Sequence, residues 1–533
     1  MHPALRIPEI LSLIFYQLRL TNEIFSKDVV RERRRTLAAL AKTCRVICEP
    51  ALDELWYEQT TLENFFKCLP ADSWEKTGAH APLRLIRPLR LSDWDGPKRY
   101  RLRVRSLQSF DGRPSAEVLA AWTTAFRDEP IFPRLHTLST TTNWHANLNY
   151  VLHEGLQKLN LHCKDESLDN VPTLPLPLST LETLIVYGDS QKVLAPWWSQ
   201  ASKELVAIRE VLFQLANWTI WRHLAAHPHL AKLSLRVDQE LGFPVILADD
   251  PQPFPALSSL DLESERIGEA IALVESVSDW DVAELVVRAS QTESETPAGL
   301  FRGIGSRFRL DRLRRLLVTI WLDVRLGVDD DQRFKVDRET FAGLFRFTHM
   351  INIELKFPAG FDFDDELVWE LARSWTCLEF LNLQSSLYYA MPSIDALRAF
   401  ATHCPALEHL ELAVDATNIP EAFEPNAGRG SPAPVRQLAL SHFVVADSPV
   451  DDPAEVAHFL AGLFPSLRTI EADNEDGYFD SEEPDEDDDD HDIERRAWYH
   501  RWMQVAKILA PARDKKGEEG FYLISSFGSL IRC

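Results

Sequence analysis

The sequence predicts an α/β solenoid of short strands and covering helices, preceded by a small all-helical domain at the N-terminus. Three observations carry this. A Leu-x-x-Leu-x-Leu pattern, or an aliphatic variant of it, returns from Ile86 to Ile470. Successive starts lie mostly about 21 to 32 residues apart, which is the length of one strand–helix unit in a repeat array. The first 60 residues carry helical periodicity instead.

That N-terminal stretch opens with Leu5 to Leu18, LRIPEILSLIFYQL. Pro8 stands where a first-turn residue needs no N–H, and Glu9 sits in the turn that favours a carboxylate. Ile10, Leu11, Ile14, Phe15 and Leu18 then lay a broad apolar stripe. A second helix is predicted over Thr36 to Trp56, with Leu37, Leu40, Ala41, Cys44 and Ile47 on one face and a break at Pro50. Arg19 to Arg35 reads as a long basic linker between the two, its run Arg31 to Arg35 solvated.

The ordered set IPEILSLIF, then LAALAKTCRVICEPALDELW, resembles the F-box domain in the version common in fungal proteins. The resemblance covers roughly the first tenth of the chain, and it departs from the pattern in the length of the basic segment. It implies docking on a Skp-type adaptor, and through that on a cullin, by Ile7, Pro8, Ile10, Leu11, Ile14, Leu18, Leu37, Leu40 and Cys44.

After a helical run from Thr61 to Leu69 and a Trp- and Arg-rich junction from 71 to 105, the repeats follow. The clear copies start at Ile86, Leu135, Leu156, Leu181, Leu230, Leu257, Leu313, Leu378, Leu407, Val435 and Leu467. Weaker ones start at Val104, Ile208, Val282 and Ile351. In each, the final Leu-x-Leu reads as a strand whose alternate side chains point inward. Pieces such as Asp365 to Ser374 and Ile394 to His403 read as outer helices. Pro133, Pro228, Pro255, Pro405 and Pro465 each precede a copy by two residues, as a helix stop before a strand requires. This junction resembles the leucine-rich repeats that follow F-boxes in fungal families. Copy lengths vary, so the expected array is irregular. The alternative is an ordinary α/β domain with Leu-rich strands.

The expected organisation is therefore an F-box domain over 1–60, a linker or irregular first repeat over 61–105 and the repeats over 106–472. An acidic loop over 473–494, expected to be disordered, and a C-terminal cap over 495–533 complete it. The cap is read as a helix from Arg495 to Leu509 and a strand from Gly520 to Phe527.

Composition narrows the function. A net charge of −24 over 533 residues opposes general binding to nucleic acid or to an anionic membrane. The 7 cysteines lack a regular spacing, which implies free thiols and a reducing, intracellular location. No secretory signal and no membrane span is read in the chain. No Walker loop, nucleophile elbow or His-Glu-x-x-His is present, so no catalysis and no cofactor is expected. His223, His227 and His229 are read as a repeat turn rather than a metal site, and Asp329 to Asp331 as a loop. Trp94, Trp122, Trp144, Trp197, Trp198, Trp218 and Trp221 are expected in the core. The leading expectation is a substrate-recognition subunit of a Skp–cullin–F-box type ubiquitin ligase, holding an unidentified client on its repeats. A non-catalytic scaffold outside ubiquitination, or a solenoid sensing a small ligand, stays open.

Overall fold

A computed structural model describes residues 7–17, 27–76, 78, 83–109, 116–126, 129–141, 151–162, 178–187, 204–215, 218–237, 253–291, 296–322, 336–357, 360–384, 388–419, 435–472 and 490–509. Leu18, Trp144, Trp197, Trp198, Asp329 to Asp331, most of the acidic run and the expected strand from Gly520 to Phe527 lie outside the described residues. The chain forms two compact units. One holds 1–235 with 254–256, the other 236–253 with 257–533.

The first unit opens with three helices, α1 (Pro8–Tyr16), α2 (Lys27–Leu40) and α3 (Arg45–Tyr57). Its strands are β1 (Glu58–Gln59), the antiparallel pair β2 (Trp74–Glu75) and β3 (Arg84–Leu85), then β4 (Ser106–Ser109), β5 (Thr137–Thr141), β6 (Lys158–His162), β7 (Thr183–Tyr187), β8 (Glu210–Leu215) and β9 (Lys232–Val237). β1, β4, β5, β6, β7 and β8 pair in parallel in that order.

The second unit repeats the plan with β10 (Ser259–Ser264), β11 (Glu284–Gln291), β12 (Arg315–Leu322), β13 (Asn352–Lys356), β14 (Phe361–Asp362), β15 (Phe380–Gln384), β16 (Tyr388–Ala390), β17 (His409–Glu411), β18 (His442–Val444) and β19 (Thr469–Glu471). All except β14 and β16, which pair with each other, join one parallel sheet in chain order. Parallel strands need long crossovers, and helices such as Ile267–Glu275, Pro297–Arg307, Asp365–Ser374 and Pro453–Leu463 supply them.

One rule sets the phase of the copies. A copy of the clear pattern begins on a buried residue, its strand starts two residues later, and the next buried strand residue follows one position on. Leu135 and Leu138, Leu181 and Leu184, Leu313 and Leu316, and Leu407 and Leu410 all show it, each at 0 to 2% exposure. Between buried residue and strand, one carbonyl accepts two N–H groups from the next copy. Arg105 O takes His136 N and Thr137 N, and Gln157 O takes Glu182 N and Thr183 N. In the second unit Ala283 O takes Arg314 N and Arg315 N, and Ser441 O takes Arg468 N and Thr469 N. This shared acceptor locks the register, because a slip of one residue would turn every inward leucine outward.

The prolines have a sharper role than stopping helices. Leu135 N donates to Phe132 O, Leu407 N to Cys404 O and Leu467 N to Phe464 O, at 3.1 to 3.2 Å. Each X-Pro-x-Leu is thus a β-turn with proline in the second position, where its fixed φ is already correct.

The ladder corrects several sequence-based expectations. The copy beginning at Ile86 is no repeat: Ile86 and Leu91 are 55% and 66% exposed, and β3 pairs antiparallel with β2. A copy missed in the sequence starts at Trp56, whose neighbour Tyr57 offers its carbonyl to Arg105 N. The weak copies at Val104, Ile208 and Val282 form full strands, and the one read from Ile351 starts at Met350. The copy read from Val435 starts at Leu440, because Gln437 occupies the turn instead. Gln437 is 2% exposed; its Oε1 accepts from Leu440 N at 2.7 Å, and its Nε2 donates to Leu407 O at 2.7 Å. A side-chain amide there stands in for the turn carbonyl of the other copies.

Aromatic side chains fill the interior, as expected for Trp94, Trp122 and Trp221, each at most 1% exposed. In the first unit, Phe65, Phe66, Trp94, Trp122 and Phe132 meet edge to face, which packs the junction after the three helices. At the far end of the second unit the expected closing helix begins earlier, spanning Asp490–Leu509. Its Trp502 is buried, donates to Ser448 O at 2.8 Å and meets the Phe443 ring edge to face.

Candidate docking surface

The three N-terminal helices form one bundle, with α1 and α2 both packed on α3. The expected single helix from Thr36 to Trp56 is two helices, corrected by a turn over residues 41–43 rather than a break at Pro50. Ala41 N, Lys42 N and Thr43 N close this turn on Leu37 O, Ala39 O and Leu40 O. Cys44 is extended and starts α3, while Pro50 is buried inside it. The physical reason is burial. A continuous helix would spread Leu37, Leu40, Ile47 and Leu55 along one unpartnered stripe; folding back lets them share a core with α1.

That core consists of Leu11, Phe15, Leu37 and Ala51, flanked by Leu40, Ala41, Ile47 and Leu55. The basic run Arg31 to Arg35 is helical, not a linker, and belongs to α2. Arg34 is half-buried. Burial holds its guanidinium below the ordinary arginine value, and the charge of Glu58 opposes that shift.

The nine residues implied as an adaptor contact fall into groups. Pro8 opens α1 at its first positions, and Ile7 precedes it. Ile7 and Ile14 are exposed, at 45% and 44%. Ile10, Leu40 and Cys44 are half-buried. Leu11 and Leu37, at 2% and 1%, are committed to the bundle's own core and offer no surface. Leu18 lies outside the described residues.

Sequence reasoning missed two members of the exposed face, Leu13 at 68% and Tyr16 at 53%. At about 100° per residue, Ile7, Ile14, Ile10, Leu13 and Tyr16 occupy a continuous arc, with Leu11 and Phe15 on the remaining side. The signal was present in the sequence: α1 is apolar on more sides than one neighbour can cover.

The bundle is fixed to the first strands through α3. Arg103 forks onto the carboxylates of Glu49 and Asp53 and donates to Glu49 O at 3.2 Å. Trp56 stacks on Tyr100 with centroids 4.4 Å apart and planes 12° from parallel. Gln59, 5% exposed, accepts from Asn64 and donates to Leu55 O. The last residues of α3 are thus also the first rung of the repeat ladder.

His223 is half-buried on the helix Trp218–Ala225, His227 is buried after it and His229 is exposed. Among the described residues no three metal-type side chains gather. None of the described helices is long and apolar enough to cross a membrane. Cys44, Cys48, Cys68, Cys377 and Cys404 are free thiols, and burial pushes Cys68 up to about 11 and Cys404 up to about 12.

No protein-family model matches the chain, and no curated protein does. Among solved structures, the yeast Rad7 and Elc1 complex is similar to it at 10% identity, over 88% of each chain, with a TM-score of 0.30. A likeness at that level carries no argument, and the repeat architecture rests on the ladders described above.

Proposed function

We propose that the protein is a substrate-recognition subunit of a Skp–cullin–F-box type ubiquitin ligase. The bundle docks on a Skp-type adaptor through the outer face of α1, and the repeats hold a client protein. The observation that carries this reading is the unburied apolar arc of Ile7, Leu13, Ile14 and Tyr16. Fully burying such a side chain contributes about 1.5 to 3 kcal/mol, so a few of them suffice for an adaptor contact. The resemblance of the IPEILSLIF and CRVICEPALDELW segments to an F-box supports the identity of the partner.

This role needs no catalytic side chain in the chain itself. A receptor works by holding a client lysine near a ubiquitin-charged enzyme, which raises its effective concentration there. The direct continuation of α3 into β1 suits that task, since a stiff joint keeps the client at a set distance from the adaptor.

The test is affinity purification of the wild type and of an Ile7→Asp/Ile14→Asp double variant, with proteasome and neddylation blocked. Adaptor and cullin recovered with the wild type and lost from the double variant are the expected result. Equal recovery from both would remove α1 as the docking face. Recovery of the adaptor with no client stabilised on deleting residues 1–60 would favour a scaffold.

A further inference from the structure

The junction between the helical bundle and the first strands carries a charge opposite to that of the whole chain. From Leu83 to Arg105, eight of the 23 residues are Lys or Arg and only Asp93 and Asp95 are acidic, in a chain of net charge −24. Three of these cations are neutralised within the fold. Arg87 meets Asp72 at 3.1 Å and Asp93 at 2.6 Å, Arg101 meets Glu129 at 2.9 Å, and Arg103 is held by Glu49 and Asp53. Four others, Arg84, Arg90, Lys98 and Arg99, are exposed and make no ion pair among the described residues.

Two neighbouring groups register this excess. Arg105 donates to Arg134 O at 3.4 Å. Burial, and then the charge of Arg134, hold its guanidinium below the ordinary arginine value against the pull of Tyr57 and Asp53. His136, one residue before β5, is lowered in the same way by burial and by Arg105. Like charges are crowded here, and anions brought by a partner would relieve them.

The cations are interleaved with exposed aliphatic side chains. Exposure alternates residue by residue from Arg84 to Arg90, as in an extended chain, and turns Arg84, Ile86, Pro88 and Arg90 outward. The helical run that follows, Leu91–Trp94 continuing into Asp95–Arg101, buries Asp93, Trp94 and Pro97. Its outer side shows Leu91, Asp95, Lys98 and Arg99, and then Leu102. Ile86, Leu91 and Leu102 are 55%, 66% and 47% exposed. Arg87 ties the extended piece to the helical one through Asp93.

This mixture selects the partner. Single-stranded nucleic acid needs rings to stack on, and the rings here are taken: Trp94 is 1% exposed and Tyr100 stacks on Trp56. A membrane or a duplex would also bring a broad anionic surface against a chain of net charge −24. A narrow peptide meets only the patch, within about one screening length of 8 Å.

We propose that the outward face from Arg84 to Leu102 binds an acidic segment of a partner protein, one in which Asp or Glu alternates with aliphatic residues. Its carboxylates pair with Arg84, Arg90 and Arg99, and its aliphatic side chains cover Ile86, Leu91 and Leu102. None of these residues lies on α1, so the site is independent of the proposed adaptor contact.

The test uses the full-length protein and fluorescence anisotropy. The probe is an unstructured peptide in which pairs of Asp and Glu alternate with single Leu, compared with a twin carrying Ser for each Leu. A single-stranded oligonucleotide of the same charge and vesicles of anionic phospholipid are the other arms. Saturable binding of the peptide, at least about fivefold tighter than its serine twin and than the oligonucleotide, is expected to weaken as salt is raised. Arg90→Glu/Arg99→Glu keeps the helical circular dichroism and weakens binding at least about tenfold. Leu91→Ser, which keeps every charge, weakens it about threefold. Arg302→Glu, a charge reversal on an outer helix of the second unit, leaves it unchanged. So does Ile7→Asp/Ile14→Asp, which separates this site from adaptor docking. Tighter binding to the oligonucleotide or the vesicles, equal affinity for the serine twin, unaltered binding in Arg90→Glu/Arg99→Glu, or no saturable binding overturns the proposal.

Discussion

Two helices of nearly equal length behave differently. In Asp365–Ser374 Leu367, Val368, Leu371 and Ala372 are buried, the half-buried Trp369 ring is covered by Arg373, and Asp365, Glu366 and Glu370 carry the outside. In α1, Leu11 and Phe15 face inward, but Ile7, Leu13, Ile14 and Tyr16 stand in solvent. The repeat helix has one job, to cover the sheet beside it. The N-terminal helix has a second apolar side, which the described residues leave largely exposed. The proposed adaptor contact falls on that second side.

The contrast breaks most sharply at Leu11. Leu11→Asp places a charge in the bundle core and is expected to unfold α1–α3, seen as loss of helical circular dichroism. Ile14→Asp, one turn away, leaves that signal unchanged. Equal damage from both would mean that the two sides of α1 do not differ.

A smaller effect is expected at Gln437. Gln437→Leu keeps the volume but leaves Leu407 O and Leu440 N without their partners, at about 1 to 3 kcal/mol for each group. A lower denaturant midpoint for the second unit checks this, and an unchanged midpoint would show that the amide is not what closes the turn. Next comes Gly343, where an added Cβ would sit 2.6 Å from Phe301 O. Gly343→Ala should force the turn holding Gly343 away from the helix Pro297–Arg307 and destabilise by about 1 to 3 kcal/mol, as overpacking does.

The mildest effect depends on pH. The folded state holds His409 at about 4, below the ordinary histidine value of 6.5. The folded protein therefore resists protonation there. The stability this contributes is complete above pH 6.5 and is lost as pH falls from 6.5 toward 4. His136, His153 and His227, also depressed by burial, add to the slope of the wild type in the first unit. The difference between wild type and His409→Gln isolates the one group. The variant should lose less stability than the wild type between pH 7.5 and pH 5, and parallel curves would contradict this.

Much of the strand array was legible because its rule is short-range. A leucine, two residues and a second leucine fix a strand start, and Leu135, Leu257 and Leu407 all obey. The copies that escaped do so for chemical reasons. Trp56 and Gln59 put an aromatic and an amide where aliphatics are expected, and the amide is tolerated because Asn64 and Leu55 satisfy it. Gln437 replaces a backbone acceptor with a side chain, which no pattern of apolar residues reveals. At Ile86 the pattern is present without the fold, because β3 turns back on β2 before a parallel neighbour is reached.

The proposed docking face was half legible. Periodicity finds Ile7, Ile10, Leu11 and Ile14 together, but which of them is spent inside depends on α2 folding back at residues 41–43. Leu13 and Tyr16 fall outside the stripe because they lie on the side of α1 away from Leu11 and Phe15, which enter the bundle core.

Hydrogen exchange of the full-length protein, with and without a purified Skp-type adaptor, measures this most directly. Protection is expected to rise in the amides of α1, and at the start of α3 near the exposed Val46, with little change along the strands. Exchange in α1 that is the same with saturating adaptor as without it would contradict the account.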